Sequence, residues 1–110
     1  MSKKKYGFKI LRENLKSIGL LQAPILQYHF NIWNRPKEPI SSHPQKGGGI
    51  WVCPDLRYAK KFQKYVLEQH GIKAIIFRCQ IGKILYQSSC RIKTDKIFFT
   101  KKDKIIKASA

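Results

Sequence analysis

The stretch from Pro54 to Gly71 limits the fold of this chain more than any other. Leu56, Ala59, Phe62 and Val66 recur there at spacings of three, three and four, the period of one apolar stripe on an α-helix. Pro54 suits a first helical turn, Asp55 the positive end of the helix dipole, and Gly71 the left-handed conformation that ends a helix. The spacing predicts one helix over residues 55–70, its stripe packed on a sheet and Phe62 at the buried centre. Arg57, Lys60, Lys61 and Lys64 fall off the stripe, so the same helix turns a basic surface to solvent.

Strand patterns surround it. Residues 6–11 alternate, with Tyr6, Phe8 and Ile10 on one expected buried face. Residues 28–33 repeat the pattern, placing Tyr28, Phe30 and Ile32 inside and His29, Asn31 and Trp33 on the opposite face, where Trp33 stands near Arg35. Short strands are expected at 50–52, at 73–79 as a central strand, at 84–86 and at 96–100. Residues 34–49 hold Pro36, Pro39, Pro44, Ser41, Ser42 and the run Gly47, Gly48, Gly49, a composition that sustains neither ladder nor helix and reads as a binding loop or a flexible insertion. The order predicts an α+β fold, a mostly antiparallel sheet of about five to six short strands packed against one main helix. At 110 residues, positions 1–110 fit a single domain with that loop and two basic termini.

Charge names a partner class. Against 23 Lys and Arg stand six acids, a net charge of +17, so the compact chain repels itself unless a polyanion neutralises it. Nucleic acid or an acidic protein surface is the expected partner. The candidate contacts are Lys3, Lys4 and Lys5 at one end, Arg57, Lys60, Lys61 and Lys64 on the helix, and Lys101, Lys102 and Lys104 at the other end. Only Arg12, Arg35, Arg57, Arg78 and Arg91 carry the guanidinium that reads guanine edges bidentately. Lysine as a point charge suits phosphate neutralisation without sequence preference. Aromatics on strands, Tyr28, Phe30, Trp33, Trp51, Phe77 and Phe98, serve either a small core or a base-stacking surface, and core packing is the ordinary use.

Catalytic signals are sparse. Glu13, Glu38, Asp55, Glu68, Asp95 and Asp103 are spread singly, so no carboxylate pair suggests acid/base work. Cys53, Cys79 and Cys90 read as buried free thiols, and with His29, His43 and His70 they lack the close pairs of a zinc site. The glycine run leads into a strand and not into a helix, unlike a phosphate-binding P-loop. No cofactor and no metal is expected, no apolar stretch reaches membrane-spanning length, and the N-terminal lysines precede no signal-peptide core. An intracellular location follows as the expectation.

The run from Gly48 through Ile50, Trp51 and Val52 to Leu56, Ala59 and Phe62, with Tyr6 to Lys9, Tyr28, and Ile92 to Ile97, resembles a loosely defined group of small uncharacterised proteins from bacteria, phages and large DNA viruses. That resemblance implies a small structural protein, such as a minor capsid or internal virion protein, with capsid proteins or packaged genome as partners. The strand followed by Pro54, Asp55, Leu56 and Ala59 is also similar to a segment of ADP-ribosyltransferase-like folds. That likeness implies a nicotinamide cleft with His29 on an early strand and Asp95 on a late one, where the superfamily carries a glutamate. The three expectations are thus a non-catalytic nucleic-acid binder, a virion component and a transferase.

Overall fold

A computed structural model of the chain describes residues 4–18, 26–36 and 49–105. In chain order they form β1 (Lys5–Arg12), β2 (Trp33–Asn34), β3 (Ile50–Val52), α1 (Leu56–His70), β4 (Ala74–Ile81), β5 (Ile84–Gln87), β6 (Ile92–Thr94), β7 (Ile97–Phe98) and a 3-10 turn at Lys101–Asp103. The fold is α+β, one main helix against antiparallel sheet, and the described strands fall into two sheets, β1-β4-β7-β2 and β3-β6-β5.

The two sheets share one bent hairpin. Ile81 stands opposite Ile97 and Ile84 opposite Thr94, so β4 runs on into β5, and β6 into β7, without losing register. Between them the hairpin kinks. Gly82 donates its N–H to the Lys96 carbonyl at 3.0 Å, Lys83 donates its N–H to Asp95 Oδ1 at 2.8 Å, and Thr94 Oγ1 donates to the Lys83 carbonyl at 2.8 Å. Glycine is required at 82 because a β-carbon there would collide with the Asp95 carboxylate and meet Lys96 Cγ at 2.7 Å. On the other side, Phe8 and Cys53 exchange both backbone hydrogen bonds at 2.8 Å, which ties β1 to the end of β3. The paired path therefore returns to its start, from β1 to β4, along the hairpin to β6, to β3 and back to β1. All these elements contribute to the larger core, with Leu11, Ile50, Val52, Phe77, Cys79, Ile81, Ile92 and Ile97 buried together beside Tyr28 and Phe99.

The helix covers the other face of β1 and β4. Ala59 and Val66 are buried against Ile10, Ile18 and Ile76, so the two strands are apolar on both faces at this end. Asp55 accepts the Tyr58 N–H at 3.1 Å, an N-cap of the kind worth about 1 kcal/mol. At the far end Gly71 has φ 67°, and the N–H groups of Gly71 and Ile72 close on the carbonyls of Leu67 and Val66 at 3.0 and 3.1 Å. Gln63 completes the inward face, its Nε2 donating to the Ala74 carbonyl at 2.7 Å.

Several expectations are corrected. The apolar stripe is rotated, because Gln63 satisfies its amide against β4 and sits inward, which leaves Phe62 37% exposed and stacked on Tyr65. Of the predicted strand at 28–33, residues 30–32 form a turn and only Trp33 joins a strand, β2. Asn31 takes a positive φ of 66°, and the Asn34 side chain accepts the His29 N–H at 2.8 Å and donates to the His29 carbonyl at 3.0 Å, a local closure that competes with a ladder. Ile32 is consequently exposed. Tyr6 is 41% exposed, because the helix stops short of that end of β1. Cys90 is exposed rather than buried, in the turn between β5 and β6. Of the expected loop at 34–49, Asn34 belongs to β2 and residues 37–48 lie outside the described residues.

Candidate nucleic-acid interface

On α1 the basic residues follow from helix geometry. Arg57, Lys61 and Lys64 lie at spacings of four and three on the side opposite Ala59 and Val66, and with Lys60 on the flank all four are exposed. Seven residues of helix rise span about 10 Å, so the ridge can reach successive phosphates of one strand. Among the described residues one acid contacts it, Asp55 Oδ2 at 3.8 Å from Arg57 Nη2 with both side chains solvated, a surface pair of little energetic consequence. Glu68 continues the ridge one turn beyond Lys64 and is exposed as well.

The remaining chosen cations form separate groups. Lys3 lies outside the described residues, while Lys4 and Lys5 are exposed where β1 begins, Lys5 opposite Ile81. Lys101, Lys102 and Lys104 are exposed after β7. Their turn is held by the Thr100 N–H donated to Asp103 Oδ2 at 2.8 Å, and Ile105 docks on β4 by donating its N–H to the Ile76 carbonyl at 2.8 Å. The nine described residues thus belong to three separate elements, the start of β1, the outer face of α1 and the turn after β7.

Cations that the sequence reading passed over are held against aromatic rings. Arg78 lies 4.0 Å from the Tyr6 ring centre and Lys96 4.6 Å from that of Trp33. On the second sheet Arg91 lies 4.4 Å from Trp51, whose ring meets Tyr86 edge-on at 6.0 Å. Cross-strand partners share a sheet face, and Tyr6 pairs with Gln80, Gln80 with Phe98, and Phe98 with Trp33. These four side chains form a row across all four strands, on the face that α1 covers farther along at Ile10 and Ile76. Trp33, expected to point away from the core, is 36% exposed, and its ring lies 5.6 Å from that of Phe98 at 50°.

Interior titratable groups are quiet. The Lys9 ammonium donates to the Trp51 carbonyl at 2.9 Å, and burial pushes its pKa down to about 8, an effect that the thiols of Cys79 and Cys53 partly offset. Burial pushes the Cys79 thiol up to about 12 and raises Cys53 as well, so neither is a thiolate nucleophile near neutral pH. Asp95 is engaged at the hairpin kink, and His29 is exposed in its turn. Among the described residues no three His, Cys, Asp or Glu gather into a metal site, and no helix is long and apolar enough to cross a membrane. Comparison of the chain with family models, curated proteins and solved structures finds no match.

Proposed function

We propose that this protein is a non-catalytic, strongly basic binding protein that contacts nucleic acid without reading its sequence. The observation that carries this reading is the outer face of α1, where Arg57, Lys60, Lys61 and Lys64 stand exposed and, among the described residues, Asp55 alone makes an ion pair with them. Six acids against 23 Lys and Arg leave a net charge of +17, and phosphates supply the missing charge with release of condensed counterions. The predominance of lysine over arginine favours phosphate contact over base-edge readout. The carboxylate and histidine that a transferase would need, Asp95 and His29, sit respectively in a hairpin kink and in a turn closed by Asn34, which supports a non-catalytic role.

Titration of a duplex of arbitrary sequence at several salt concentrations tests the reading. A log-log slope of several units is expected, at about 0.9 per neutralised phosphate, with affinities that change little between unrelated sequences. A flat salt response would sink the electrostatic basis.

A further inference from the structure

The Tyr6, Gln80, Phe98 and Trp33 row sets three rings side by side on a strongly basic molecule, and charge dictates what it can hold. Exposed rings on a sheet are open to apolar protein surfaces and to nucleobases alike. Here the row is bracketed by cations, with Arg78 at 4.0 Å from one end ring and Lys96 at 4.6 Å from the other. A guanidinium or ammonium beside a π-face leaves the ring free to stack on its other side and places positive charge where a phosphate linking two stacked bases would run. An apolar protein partner would have to desolvate both cations without compensation, whereas a polynucleotide neutralises them. Three strand spacings separate Tyr6 from Trp33, about 15 Å, a span that fits two or three splayed nucleotides. Duplex bases are already stacked on each other and offer no free face. Resting on the nucleic-acid reading above, we infer that this row is a stacking site for unpaired bases, so that the protein prefers single-stranded nucleic acid over duplex.

The experiment compares five probes on the full chain at moderate salt: an oligothymidylate and an oligouridylate of about a dozen nucleotides, an abasic strand with the same number of phosphates, a duplex, and polyglutamate. Both base-bearing strands, or whichever of DNA and RNA the site takes, should bind roughly tenfold or more tighter than the abasic strand. Trp33→Ala and Tyr6→Ala should each remove most of that advantage, leaving abasic and duplex affinity and the salt slope as in the wild type. Should Trp33→Ala fold poorly, quenching of Trp33 fluorescence by the oligothymidylate in a Trp51→Phe chain gives the same answer, and Trp33→Phe should retain binding. Equal affinity for base-bearing and abasic strands overturns the stacking site while leaving the electrostatic reading standing. Binding of none of the probes at low salt overturns both. Tighter binding of polyglutamate than of any oligonucleotide also overturns the inference and makes an acidic protein the partner.

Discussion

The outer face of α1 and the uncovered row on the sheet lie on the same side of β1 and β4, yet they are built from opposite materials. The helix ridge is exposed charge, Arg57, Lys60, Lys61 and Lys64, on long stems, with Lys61 near the Tyr58 ring at 5.7 Å and Arg57 near Asp55 at 3.8 Å. The row is fixed by backbone pairing, its rings held in register by strands and its cations by the rings. The first can attract any polyanion and orient none of them. The second can hold a flat group at a set height and angle, and contributes little long-range attraction. A molecule with both can capture by charge and retain by stacking, and the two contributions separate experimentally because base stacking itself depends far less on salt than phosphate contact does.

Both regions stand on one core, and the largest effect expected comes from removing it. Phe77 is buried on β4, packed on Phe99 with ring centres 4.9 Å apart, so Phe77→Ala should lower unfolding free energy by about 3 to 5 kcal/mol in urea titration. A loss under about 1 kcal/mol would mean that the sheet is not the rigid support the comparison assumes. Next in size is the helix ridge. Replacing Lys60, Lys61 and Lys64 together with Gln should lower the salt slope of duplex binding by up to about 3, near one per lost phosphate contact, without changing the melting temperature greatly. An unaltered slope would move the electrostatic contact to Lys4, Lys5 and the 101–104 segment.

A smaller effect distinguishes Lys9 from every cation in either region, since its ammonium turns inward to the Trp51 carbonyl. Burial holds its pKa at about 8 against an ordinary 10.5. Between those values the unfolded chain keeps a proton that the folded chain has released, so this group makes stability rise with pH, by at most about 1.4 kcal/mol per unit. Cys79 acts in the opposite sense, since its pKa is raised from 9.0 to about 12, and Tyr28, also raised by burial, joins it above 10. Stability should therefore climb between about pH 8 and pH 9, level off where Lys9 and Cys79 oppose each other, and decline above about pH 10, and Lys9→Met should abolish the climb but not the decline. The same climb in that variant would remove Lys9 as its source.

The smallest effect expected is at Phe62, which borders the helix ridge. With more than a third of its surface exposed and its ring stacked on Tyr65 at 6.2 Å, Phe62→Ala should cost no more than about 1 kcal/mol. A cost like that of Phe77→Ala would restore it to the core and shift the ridge around the helix.

Phe62 also marks the limit of what the sequence could say. By itself the sequence determined the helix, its ends, its basic surface and the α+β class, because these follow from short-range rules acting within a few residues. Pro54, Asp55 and Gly71 delimit the helix through backbone chemistry, and the 57, 61, 64 spacing places cations together on any helix. The rotation of that helix was not legible, since an apolar stripe at 56, 59, 62 and 66 competes with one through 59, 63 and 66, and the choice turns on a carbonyl at Ala74 that Gln63 can reach. The turn at 30–32 was likewise hidden, because alternation at 28–33 satisfies the strand pattern while the Asn34 side chain closes the segment on itself. Trp33 alone of the stacking row was marked as outward. Its companions Tyr6, Gln80 and Phe98 are dispersed along the chain and become neighbours only through strand register. Tertiary structure decided the row for that reason. Pairing across strands is a long-range choice made by the whole core, and no local period in the sequence records which ring will stand beside which.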